Sequence, residues 1–273
     1  MARARSSRIP LIAVHRGTAG GTIFSNTANA AKASIASGGD MVELDVARSK
    51  DGVYFTFHDT YEPFLLGESR RIGEMTSAEI ENLVYHKAHG LAGGGVEKFA
   101  ETLAGLSGVL VNVDRSYRYW KDGFLDQLAR WGNPEHLLIK SDADPEYLES
   151  AAACSTKFPF MGVVRNSGEI ESIITAAKGN NINLVGFEIL AAVPHDPVIS
   201  PSFLEKLHSQ GFMVWLNAIN LENGVKLCAG YDDFTAVRGD MHESWGELVR
   251  RGADIIQTDW PWLLRSYLDT LRR

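Results

Sequence analysis

Met41-Val42-Glu43-Leu44-Asp45-Val46, followed about a dozen residues later by Phe57-His58-Asp59, reads as a strand that is apolar on one side and doubly acidic on the other. Side chains alternate along a strand, so Val42, Leu44 and Val46 share one face and Glu43 and Asp45 the other. Two carboxylates buried side by side repel each other and are costly to desolvate. A cation between them removes both penalties, and hard oxygen donors suit Mg²⁺ or Ca²⁺. The competing reading is an edge strand with a solvated acidic face. The stretch alone does not choose between the two; the chain around it does.

Upstream, the apolar run Pro10 to Val14 reads as a buried parallel strand ending in His15-Arg16-Gly17. Ser25-Asn26-Thr27 offers capping side chains for a helix over Ala28 to Ser37, which Gly38-Gly39 closes. Downstream, Ser49-Lys50-Asp51-Gly52 is a tight-turn signal before a second extended stretch, Val53 to His58. Residues 60–97 are irregular, with Thr76-Ser77-Ala78-Glu79 opening a short helix and a Gly93-Gly94-Gly95 run that reads as flexible chain. Strands then alternate with helices to the end of the chain. They lie near residues 111, 138, 162, 186, 214 and 256, and with those near 12 and 43 they make eight βα units. This pattern predicts a TIM (β/α)8 barrel over residues 1–273, with 60–97 as a small insertion capping the mouth after the second strand. The Val53–His58 stretch then belongs to that excursion and not to the barrel wall.

The chain of 273 residues has ordinary globular composition and a net charge of −7. That charge argues against a nucleic-acid partner, which selects for a basic face. Cys154 and Cys228 stand far apart without metal-ligand spacing and read as buried reduced thiols. The run Ile9 to Val14 after the basic start is too short for a signal peptide, and no stretch is long enough to insert stably in a membrane, which points to the cytoplasm. Nothing here speaks to oligomeric state.

In such a barrel the active residues sit at the C-terminal ends of the strands. Those ends carry His15 and Arg16, Glu43 and Asp45, Asp114, Lys140, Glu188, Trp215 and Asn217, and Asp259, and His58 follows its own strand in the same way. Carboxylates, two histidines and two cations at one mouth suggest metal-assisted cleavage of a phosphate ester in a small-molecule substrate. The metal and cations would neutralise phosphoryl oxygens, and the histidines would serve as base and acid.

His15-Arg16-Gly17, Asn26-Thr27, Glu43-Leu44-Asp45-Val46, Lys50-Asp51-Gly52 and His58-Asp59 resemble, in order and spacing, the signature of the glycerophosphodiester phosphodiesterases, whose barrel is of the phospholipase-C-like type. Trp215-Leu216-Asn217 and Thr258-Asp259-Trp260-Pro261 look like that family's late strands. The resemblance implies a divalent ion held by Glu43, Asp45 and a third acid, aligned here with Asp114. It implies His15 and His58 as the acid–base pair, Arg16 on the phosphate, and release of glycerol 3-phosphate and an alcohol, with a cyclic phosphate formed first. Most members carry Glu-x-Lys on the third strand, whereas this chain reads Asn112-Val113-Asp114-Arg115-Ser116. Lys140, one strand on, is the candidate replacement for the lost charge. Glu188 is open between a substrate contact and a buried salt bridge, and Trp215 between stacking on substrate and core packing. Asp259 reads as a cap for the last helix. His86, His89, His195, His208 and His242 are assigned no role. A sugar phosphodiester or a lysophospholipid is the alternative substrate, and a silent barrel that binds a phosphorylated ligand is the alternative from outside enzymology.

Overall fold

The computed structural model describes residues 9–18, 20, 23–86 and 92–272. The strands in chain order are β1 (Leu11–Val14), β2 (Met41–Arg48), β3 (Tyr54–Thr56), β4 (Val84–His86), β5 (Ala92–Gly95), β6 (Leu110–Asp114), β7 (Leu137–Ser141), β8 (Phe160–Val164), β9 (Leu184–Ile189), β10 (Met213–Asn217) and β11 (Ile255–Thr258). Eight of them pair in parallel in the order β1-β11-β10-β9-β8-β7-β6-β2, and pairing of β1 with β2 closes the ring. The eight staves are those expected from the sequence. β3 lies off the barrel, antiparallel to β2 with Val46 opposite Thr56 and Arg48 opposite Tyr54.

Alternation along the staves sorts the residues into two apolar layers and a polar mouth. Val42, Leu44 and Val46 face outward into the large cluster shared with the helices, together with Val111, Val113, Val214 and Leu216. Met41, Leu138, Met161, Met213 and Trp215 face inward and fill the lumen beneath the mouth. A fully buried side chain of this size contributes about 1.5–3 kcal/mol, so the lumen is a packed plug on which the polar residues above it are set. The helices begin where the sequence supplies caps. Thr27 accepts from the Ala30 amide, Asn166 from Glu169, and Thr76 and Glu79 form a reciprocal capping box.

The excursion after β2 has its own small core. Phe55, Phe57, Leu66, Ile72, Met75, Ile80 and Tyr85 are buried together against the β2–β3 ribbon. The glycine run read as flexible chain forms β5, paired with β4 in an antiparallel hairpin. After β10, Asp233–Arg238 forms a short helix capped by Asp232. His89 lies outside the described residues. Among those described, no helix is long and apolar enough to cross a membrane.

Candidate active site at the barrel mouth

Register brings the acids together. β2 and β6 pair so that Asp45 stands opposite Asp114 and Glu43 opposite Asn112. Neighbouring strands lie about 4.8 Å apart, and one oxygen from each of Glu43, Asp45 and Asp114 lies within 4.8 Å of the others. Glu43 and Asp45 are buried, at 1% and 2% exposure. Asn26 clamps Asp45 from two sides: its Nδ2 donates to Asp45 Oδ2 at 2.9 Å and its Oδ1 accepts the Asp45 amide at 3.0 Å. Glu43 Oε2 accepts the Arg16 amide at 2.8 Å, but Glu43 Oε1 has no hydrogen-bond partner among the described residues. Burial, and then the charges of Asp45 and Asp114, push the Glu43 carboxyl up to about 8. A buried oxygen without a partner, in a cluster of three hard-oxygen donors, fits a divalent cation.

The turn after β1 delivers His15 and Arg16. Arg16 has a left-handed backbone with φ 51°, and Gly17 follows at φ 55°. A Cβ on Gly17 would lie 3.1 Å from the backbone of Ala31, so the tight turn and the close helix both require glycine there. His15 Nδ1 lies 2.9 Å from Asp259 Oδ1. Burial lowers the proton affinity of His15, but the hydrogen bond and charge of Asp259, with help from Glu43, outweigh it and the net value is raised. His58 Nδ1 lies 2.7 Å from the Asp59 carbonyl, which can only accept, so that nitrogen carries a proton. Burial, then Arg16 and Arg115, lower the His58 value against the opposing charge of Asp45.

A polar chain crosses the mouth from the opposite wall. Lys140 Nζ lies 2.9 Å from Glu188 Oε2 and 3.4 Å from Asp114 Oδ2. Asn217 donates to Glu188 Oε1 at 2.7 Å and accepts from the Trp215 indole at 2.9 Å. Lys140 stands 5.3 Å from the centroid of the Trp215 ring, which is fully buried. Arg16 lies 3.5 Å from Asp45 and stacks over Tyr61 at 4.6 Å.

Residues 15–118 match the model of the glycerophosphoryl diester phosphodiesterase family. The first part of the chain is thus similar to that family over the residues that build the turn after β1, β2, the excursion and β6. A second family model, described as a domain of unknown function, matches residues 160–268. No curated protein matches the chain. Similar solved structures include a glycerophosphoryl diester phosphodiesterase from Parabacteroides distasonis, with TM-score 0.74, 17% identity and coverage of 97% of this chain and 87% of that one. A phosphodiesterase from Oleispira antarctica in complex with the product sn-glycerol 3-phosphate has TM-score 0.67 and 19% identity, covering 97% and 99%. A glycerophosphodiester phosphodiesterase from Thermotoga maritima has TM-score 0.65 and 18% identity, covering 94% and 98%.

The mouth also holds contacts that the sequence alone does not specify. Asp259 does not cap the last helix, whose N-cap is Trp260 without a side-chain bond; it partners His15. Asp59 pairs with Arg115 and, at 3.0 Å, with Arg118, so the residue beside the missing third-strand lysine is an arginine tied to the His58 loop. Tyr61, from the excursion, lies beneath the Arg16 guanidinium, and Glu222, from the long loop after β10, acts electrostatically on both. Glu222 carries no motif, and only the fold brings it to the mouth. The Asp259 partnership had a signal available, since a strand-end acid opposite a strand-end histidine is a common catalytic pairing.

Proposed function

We propose that this chain is a metal-dependent phosphodiesterase that cleaves glycerophosphodiesters to glycerol 3-phosphate and an alcohol by histidine acid–base catalysis. The observation that carries the reading is the single mouth in which the Glu43, Asp45 and Asp114 oxygens lie within 4.8 Å of one another, alongside His15, His58, Arg16 and Lys140. The sn-glycerol 3-phosphate bound to the Oleispira antarctica phosphodiesterase supports glycerol as the retained half of the substrate. Glu43, Asp45 and Asp114 would hold Mg²⁺ or Ca²⁺, which supplies positive charge to the phosphoryl oxygens.

The chain's own residues then divide the work. Arg16 and Lys140 face the phosphate as cations, with Arg16 braced by Tyr61 and Lys140 by Glu188. His15, with Nδ1–H on Asp259, keeps its Nε2 lone pair for the proton of the attacking hydroxyl. Its raised proton affinity makes it the better acceptor. His58, when protonated, donates from Nε2 to the oxygen of the leaving alcohol, and its lowered value makes it the better donor. An O–P bond forms as the P–O bond to the alcohol breaks, with one proton taken and one given. Attack by the glycerol 2-hydroxyl gives a cyclic phosphate, which water opens by the same two groups in reverse. Residues 60–97 act as a cap, with Tyr61 reaching over Arg16 toward His58. Neither histidine and no metal acid is missing, which weighs against a silent ligand-binding barrel.

A second reading has an observation of its own. Phe64, Phe234, Trp260 and Trp262 are exposed, at 79%, 56%, 37% and 38%, on segments that follow β2, β10 and β11. Apolar side chains at the rim would suit a substrate with an acyl tail, such as a lysophospholipid. The deciding experiment measures turnover of glycerophosphocholine, glycerophosphoethanolamine, glycerophosphoinositol, a sugar phosphodiester and lysophosphatidylcholine after chelation and after addition of Mg²⁺ or Ca²⁺. We expect metal-restored cleavage of a soluble glycerophosphodiester. Activity that survives exhaustive chelation overturns the metal assignment, a tenfold preference for the lysolipid favours the second reading, and inactivity on the whole panel overturns both.

A further inference from the structure

Asp233 is a buried carboxylate with no part in the constellation above. It lies in the short helix Asp233–Arg238 and is 2% exposed. Three donors converge on it and use both oxygens. The Thr258 hydroxyl and the Trp245 indole reach Oδ1 at 2.7 and 2.9 Å, and the Asp259 amide reaches Oδ2 at 2.8 Å. Its own amide is tied to the Ala218 carbonyl at 2.6 Å, just past the end of β10. Asp232 caps the same helix through the Thr235 amide at 2.9 Å, so the side chain projects from a fixed turn.

We propose that Asp233 is a positioning residue for proton transfer: its carboxylate clamps the peptide of Asp259 and, through Asp259, holds the His15 ring. The proposal rests on the reading of His15 as an acid–base group. A carboxylate is an expensive way to satisfy donors in a core, because burial penalises its charge, and here burial pushes it up to about 7. It also faces the charge of Asp259, which opposes it further. No neutral side chain of this size accepts from three donors at once. An asparagine would turn an NH₂ group toward a donor, either the Asp259 amide or the pair from Thr258 and Trp245. The arrangement follows the logic of an outer carboxylate that fixes the partner of a catalytic imidazole, carried one bond further back from the chemistry. The other charged groups facing His15 are Glu43, Arg16 and Glu222, on three different elements, and none of them is bonded to Asp233.

The test uses Asp233→Asn in the full chain, labelled with ¹⁵N-histidine. In the parent protein the His15 Nδ1–H, bonded to a carboxylate, is expected to give a slowly exchanging downfield resonance. Asp233→Asn is expected to lose it, to lower kcat at least tenfold and to leave KM within twofold. In an Asp259→Ala background the same substitution is expected to change kcat less than twofold, because the route through Asp259 is already cut. A retained resonance with unchanged kcat overturns the proposal, as does an equal loss in the Asp259→Ala background. Thr258→Val removes one of the three donors at nearly constant volume and loosens the carboxylate, which keeps the Trp245 indole and the Asp259 amide. It is expected to broaden the resonance and lower kcat severalfold, and parent-like behaviour there overturns the proposal even where Asp233→Asn fails to fold. Full activity of His15→Ala would instead overturn the acid–base reading and leave the clamp standing, since the resonance is read without turnover.

Discussion

Replacing Lys140 by methionine tests whether the mouth is held together by a compensated charge network. Lys140 is 4% exposed and sits between Glu188 at 2.9 Å and Asp114 at 3.4 Å. Methionine keeps the volume and removes the charge. Glu188, itself 6% exposed, is then left buried with only the Asn217 amide for company. Stranding one member of a buried pair costs about 3–5 kcal/mol. For a chain of 273 residues that corresponds to a fall in Tm of about 5–9 °C. The assay is thermal unfolding in chelator, so that no bound cation offsets the lost ammonium. Burial raises the Asp114 carboxyl but Lys140 holds it below its ordinary value. A depressed acid contributes stability above its unfolded value and loses it as pH falls through the folded one. The gap between parent and variant should therefore persist from neutral pH down to about pH 4 and close only as the pH falls below that. Adding Glu188→Gln removes the stranded charge and should restore at least half of the loss. A fall in Tm below about 2 °C, or a double variant no more stable than Lys140→Met, would refute the reasoning.

Three further outcomes are expected. Asn26→Ala frees Asp45 from both of its hydrogen bonds and should weaken Mg²⁺ or Ca²⁺ binding about 10–100-fold by calorimetry; an unchanged affinity would argue against Asp45 as a ligand. Gly186→Ala places a Cβ 2.2 Å from the Met213 carbonyl oxygen and should cost about 3 kcal/mol or more in urea unfolding, whereas Gly179→Ala, with nothing within 4 Å in a helix, should stabilise by about 0.5–1 kcal/mol; equal effects at the two sites would contradict the packing argument. In chelated protein, proton NMR should show His15 titrating above 6.5 and His58 below it, and the reverse order would exchange their assigned roles.

Local sequence carried the fold and much of the mouth. Eight apolar runs separated by helical stretches are a one-dimensional signal, because a parallel stave buried on both faces must be apolar wherever it occurs. The side of β2 on which Glu43 and Asp45 lie is likewise dictated by alternation, and so is the placing of His15 and Lys140 at strand ends. The short strand beside β2 and the capping box at Thr76 are equally local.

What the tertiary structure decided is which of these residues meet. The pairing of Asp45 with Asp114 depends on the register between β2 and β6, residues 69 apart in sequence order, and a one-residue slip would turn one of them into the helix layer. The partnership of His15 with Asp259 spans 244 residues and exists only because β1 and β11, the first and last strands of the chain, pair side by side in the ring. Asp233 reads in sequence as one more acid in a polar loop. Its three donors come from Trp245, Thr258 and Asp259, which only the closing of the barrel brings around it. Lys140 could be located from sequence, but its dual pairing with Asp114 and Glu188 joins three separate strands. Tyr61 and Glu222 meet across the mouth from two loops with no common motif. Alternation and capping act over a few residues and are written in the order of the chain. Register, ring closure and loop contact are set by the packing of distant segments, and so the partners of each site residue had to be seen in the fold.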